Sequence, residues 1–226
     1  MNKIYRFFGN DSLFGRIFGT LGNMITVNLL FIVCSIPVIT FGASFTSMYY
    51  ALLRNLKYGD SSLIRDFFSS FRQNFRQSTL SWLISVIFMI VFSADIGMFG
   101  PNGVYPAAAI YYLIIVLAVI VAITAMFVFP VIATFRNTLK NLWIQAFFLA
   151  ARNIPFALVI LALNTVPLYI SLTTPSPQIF GTALFLWIVT GFGFIAWINT
   201  FLFYRIFSPY LAADPADTEE NGWDGE

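Results

Sequence analysis

The chain has no histidine, one cysteine, and charged side chains at only 10% of its 226 residues. Without histidine and with a single thiol, the usual nucleophile and base pairs and the common zinc sites are excluded. Cys34 has no partner for a disulfide and sits in an apolar run, where a free cysteine is a small buried hydrophobe. No phosphate loop of the Walker type and no dinucleotide fingerprint occurs. No catalytic, cofactor-binding or metal residue is expected, and an enzyme is the least supported class. The twelve basic residues are confined to a few segments and do not interleave with a polar domain, so nucleic acid is excluded as a partner.

What remains is apolar. Hydrophobic residues make up 59% of the chain and the mean hydropathy is +0.82, whereas soluble domains carry roughly 25% charged residues. Several runs without Lys or Arg reach the roughly 20 residues that cross a hydrocarbon core of about 30 Å. Lys3, Arg6 and Arg16 precede the first run, but the region is too long and aromatic for a signal peptide, so the segment is expected to be retained. With Phe7, Phe8, Phe14 and Phe18 it reads as an amphipathic surface helix.

The charges decide the number of crossings. Five apolar runs taken as five spans would put two basic segments, the amino terminus and 54–76, on opposite faces, against the positive-inside rule. A turn at Pro37 to Gly42 followed by a short helix at 43–56 removes the conflict, because proline lacks an amide donor and glycine permits a sharp bend. The expectation is an all-α polytopic bundle over 1–211 in the cell membrane. Its helices lie at about 21–37, 43–56, 79–99, 107–135, 154–172 and 180–207, with both termini cytoplasmic and a flexible acidic tail at 212–226. A re-entrant hairpin of the first two segments satisfies the same rule.

Two cytoplasmic segments have helical periodicity. In 61–78, Leu63, Ile64, Phe67, Phe68, Phe71 and Phe75 recur at helical spacing between Arg65, Arg72 and Arg76, and Ser61 or Ser62 is placed to cap the helix. The segment 141–151 places Trp143, Ile144, Phe147 and Phe148 between Lys140 and Arg152. Arg65, Phe68, Phe71, Arg72, Asn74, Phe75, Arg76, Lys140, Trp143 and Arg152 are the candidate contacts to a partner or to lipid. Both segments follow an Arg-Asn pair, Arg54-Asn55 and Arg136-Asn137, as a duplicated unit would.

Inside the spans there is almost no ionisable group. Asp95 falls near an external helix end, and a coupling transporter would bury a charge in mid-helix. Asn28, Asn164 and Asn199 make interhelical hydrogen bonds or line a polar path. Pro130 and Pro167 fall within spans, and Gly191 and Gly193 suit close packing.

The run Arg6-Phe7-Phe8 with Asp11-Ser12, then Asn28-Leu29-Leu30, Cys34 through Ser44, Tyr49-Tyr50, and Phe67 through Gln77, resembles the amino-terminal half of the YesL-like family of bacterial membrane proteins. Arg152-Asn153-Ile154-Pro155 extends the resemblance. That family is a domain of unknown function, encoded beside carbohydrate ABC importers, with no established catalytic residue. The resemblance implies a non-enzymatic accessory subunit of such an importer, contacting its permease or ATPase through the cytoplasmic helices. The rivals are a small independent transporter or channel, and a lipid-interacting membrane scaffold.

Overall fold

The computed structural model describes residues 13–59 and 62–211, with side chains from residue 19 onward. The side chains of the amino-terminal aromatic segment, Ser61 and the acidic tail lie outside the described residues. Every regular element among them is helical: α1 (Leu13–Ser35), a 3-10 turn (Val38–Thr40), α2 (Phe41–Tyr58), α3 (Leu63–Phe99), α4 (Ala108–Thr134), α5 (Leu139–Arg152), α6 (Ile154–Thr173) and α7 (Pro177–Leu186). A π segment (Trp187–Gly191) then joins α7 to α8 (Phe192–Leu211), so that Pro177–Leu211 is one apolar rod. By length and composition α3, α4, α6 and the rod from α7 to α8 can each cross a membrane. Their outward faces carry large apolar side chains such as Ile87, Met89, Ile90, Tyr112, Tyr169 and Phe185, a surface that suits lipid and not water.

Two helices were expected at 61–78 and 79–99, and the described residues form one continuous helix of 37 residues, Leu63–Phe99. No Gly or Pro occurs between Gly59 and Gly97, so nothing in the backbone interrupts the ladder where the side chains change from polar to apolar. Ser62 precedes α3 in extended backbone, but its hydroxyl makes no capping bond. In the second half of the chain the corresponding step is broken. Asn153 leaves the helical region at φ −122°, ψ 44°, and Pro155 opens α6, so α5 and α6 stay separate.

Gly42 does not make the turn that was expected of it. It is helical, within α2, and the turn is built by Pro37 and the 3-10 segment. A Cβ at Gly42 would run into the Ser78 carbonyl oxygen and the Trp82 side chain, so this glycine permits close approach of α2 to α3.

α2 is the centre of the bundle. It touches α1, α3, α4 and α8, and Ser44, Thr46, Ser47 and Tyr49 are buried along it. Protein around its first three turns explains how a helix with so many hydroxyls sits among apolar neighbours, since those hydroxyls find partners there. Ser47 and Ser44 donate to the Ala43 and Thr40 carbonyls, Ser78 of α3 donates to Thr46 at 2.8 Å, and Asn199 of α8 donates to the Tyr49 hydroxyl at 3.3 Å.

α2 runs antiparallel to the first half of α3 alone. Gly42 lies against Ser78 and Trp82, and Arg54 reaches Asp66 at 3.5 Å. Beyond Trp82, α3 continues to Phe99, which at 1.5 Å per residue is about 25 Å. The turn between α1 and α2 packs on α3 and therefore sits beside its middle, far short of its distal end. Ile36, Val38 and Ile39 at this tip are 74%, 70% and 60% exposed.

Candidate functional site

Two regions hold the residues singled out in the sequence: the basic end of the bundle and its interior. At the basic end, α4 stops level with Gln77, whose amide donates to the Asn137 carbonyl at 2.9 Å. The first turns of α3 extend past that point by about 20 Å, flanked by the second half of α2. On this projection Arg65, Arg72 and Arg76 are exposed, and so are Phe68 (45%) and Phe75 (39%). Phe71 is half-buried against the core and links Phe67 to Phe75 through ring contacts of 6.3 and 5.5 Å. Asn74 turns back along its own helix to Ser70 at 3.0 Å. The projection is therefore an aromatic ridge flanked by guanidinium groups.

α5 differs from that projection. Asn137 starts it by accepting from the Thr138 amide and from Asn141. Leu142, Ala146 and Leu149 bury one face. Trp143 is half-buried and donates to Ser81 of α3 at 3.2 Å. Exposed Ile144, Phe147 and Phe148 share a groove with Phe88 of α3 and Ile120 of α4. Lys140 is exposed at one end of α5, and Arg152 at the other donates to the Tyr210 hydroxyl at 3.2 Å. α5 thus carries an exposed apolar face beside Phe88 and Ile120 and a cation at each end.

The three asparagines do not form one path. Asn28 is fully buried and bridges the π segment: its amide donates to the carbonyls of Trp187 (3.2 Å) and Ile188 (2.7 Å), and its oxygen accepts from the Gly193 amide (2.9 Å). A Cβ at Gly193 would meet the Met24 carbonyl, so that glycine lets α1 come close enough for the bridge. Asn199 is also fully buried, with its oxygen unpartnered among the described residues. Asn164 alone faces the interior cavity, and its amide donates to the Ile160 carbonyl of its own helix.

That cavity, about 350 Å³, was not foreseen. Phe41, Phe45 and Tyr49 of α2 form its floor, and Trp82, Met126 and Trp187 are among its walls. Two of its polar lining residues are bonded elsewhere: Ser85 donates to the Ser81 carbonyl, and Trp187 donates to Ser171. Sequence offered one signal for it, the aromatic series at 41, 45 and 49, which falls on one face of a helix. The described residues contain no cluster of His, Cys, Asp or Glu able to hold a metal.

Residues 24–96 match the family described as "Protein of unknown function, DUF624", which is the family of YesL-like membrane proteins. The matched stretch runs from within α1, through the tip and α2, to near the end of α3. No curated protein and no solved structure matches the chain.

Proposed function

We propose that this chain is a non-enzymatic accessory subunit of the bacterial cell membrane that docks a carbohydrate ABC importer through its basic end. The observation that supports this most directly is the projection of α3 beyond α4, where Phe68 and Phe75 are exposed among three arginines. Phenylalanine and arginine are both enriched in protein interfaces over the rest of the surface. The resemblance to YesL-like proteins supplies the importer as the partner. In this reading the basic segments are cytoplasmic, as are both termini, and α5 lies on the inner surface with Phe147 and Phe148 in lipid.

The level of the α1–α2 tip supports one membrane topology. Because the first 20 Å or so of α3 projects on the basic side, a tip beside the middle of that helix enters the bilayer and returns without crossing it; in this reading α1 and α2 form a re-entrant hairpin and the chain crosses fully at α3, α4, α6 and the rod from α7 to α8. Backbone broken at that depth must be satisfied internally. Thr40 supports the reading, since its hydroxyl lies 2.5 Å from the Cys34 carbonyl and 2.7 Å from that of Pro37.

Purification of the full chain from native membranes in mild detergent tests the subunit reading. Importer permeases and ATPase are expected to accompany the wild type and to be lost with the double variant Phe68→Asp, Phe75→Asp. Their absence from the wild type, or their retention by the variant, defeats it. Reporter fusions at Tyr58 and Pro101 test the orientation, with Tyr58 cytoplasmic and Pro101 external as the expected pattern.

A further inference from the structure

We propose that the interior cavity takes one acyl chain of a membrane lipid, with the α1–α2 hairpin as its floor and no recognition of the headgroup. The cavity is large enough for about ten waters at roughly 30 Å³ each, yet it presents almost no polar atom to hold them. Ser85, Asn164 and Trp187 have directed their donors to protein partners, and the Tyr49 hydroxyl faces Asn199. A cavity lined in this way stays dry. The space is open on one side and its lining is almost wholly apolar, so it calls for an apolar occupant that enters from outside.

The rim identifies the source. Met89 and Leu168 line the cavity and are 60% and 39% exposed. Met89 lies about 15 Å before the distal end of α3, within the span, so the opening faces hydrocarbon and admits a chain descending from the leaflet opposite the basic end. The headgroup of that lipid finds no cation. No Lys or Arg occurs in 77–135 or in 153–204, so the segments surrounding the opening offer nothing to pair with phosphate. The site selects a chain by shape and leaves the headgroup free.

Two of the five tryptophans, Trp82 and Trp187, line the cavity and report on it directly. The full chain carrying Trp143→Phe, Trp197→Phe and Trp223→Phe is reconstituted in phosphatidylcholine vesicles with brominated or plain chains. Bromine is expected to quench at least half of the emission, equally when phosphatidylglycerol carries the same chains. Ala125→Phe, which fills the cavity, is expected to remove about half of that quenching. Ala122→Leu at the lining is the second variant if the first does not fold. Quenching unchanged by filling, or dependent on the headgroup, overturns the proposal. So does labelling of Ser85→Cys, in a Cys34→Ala background, by a charged membrane-impermeant thiol reagent, because that reagent requires water in the cavity.

Discussion

Replacing Asn28 with leucine keeps the branched arrangement of heavy atoms and removes the side-chain hydrogen bonds by which Asn28 joins α1 to the π segment and to Gly193 of α8. Three hydrogen bonds are lost, of 3.2, 2.7 and 2.9 Å. Side-chain bonds between membrane helices average about 0.6 kcal/mol and reach about 1.7, so the bonds alone account for roughly 2–3 kcal/mol. The Ile188 carbonyl and the Gly193 amide are then stranded where Asn28 had been fully buried, and an unsatisfied buried group costs about 1–3 kcal/mol. Because the π ladder can tighten to recover part of this, a total near 3 kcal/mol is expected. At about 2–4 °C per kcal/mol for a chain of this size, thermal unfolding in mild detergent, followed by tryptophan emission, should fall by roughly 10 °C. Asn164→Leu is the internal control. It loses one bond within its own helix at a half-buried site and should cost less than about 1 kcal/mol. A drop of under about 2 °C for Asn28→Leu, or equal drops for the two variants, would refute the reasoning.

Three further outcomes are expected from the same melting assay. Gly42→Val drives a side chain into the Ser78 carbonyl and Trp82 and should destabilise by about 1–3 kcal/mol, whereas Gly22→Ala, with nothing within 4 Å of the added methyl, should be neutral or stabilise by about 0.5–1 kcal/mol. Thr40→Val retains the shape of the tip and leaves the Cys34 carbonyl without the Thr40 hydroxyl, while the Pro37 carbonyl keeps the Thr40 amide at 2.8 Å, a loss of about 1 kcal/mol; an unchanged melting point contradicts the role assigned to that hydroxyl. Arg54→Met removes the cation 3.5 Å from Asp66, whose side chain is 8% exposed, so it should lower the melting point more than Asp66→Asn, which removes the charge that needs the partner; the opposite order overturns that assignment.

The helical class, the membrane character and the basic end were legible because Lys and Arg mark helix ends and apolar runs mark what lies between them. The error at 78–79 came from placing a helix boundary where polarity changes. Helix continuity depends on backbone hydrogen bonds, and Gln77-Ser78-Thr79 does not disturb them. Gly42 was misread for a related reason: beside Pro37 it resembled a turn residue, while its lack of a side chain serves packing against Ser78. That Asn28 binds a widened turn nearly 160 residues away has no local signature, and neither has the π segment itself. The cavity was illegible because it belongs to no single element: its floor is in α2 and its walls come from six other elements.

The central position of α2 sets an order on assembly. Its apolar content is too low for it to wait alone in a bilayer, and its polar groups are matched by residues that emerge later in synthesis: Ser78 from α3 and finally Asn199 from α8. Until the last helix is made, Tyr49 has no Asn199 to face it, and one side of the hairpin remains uncovered. A chain truncated after α6 therefore presents to the cell's quality control a membrane protein whose first hairpin is complete in sequence and unfinished in structure.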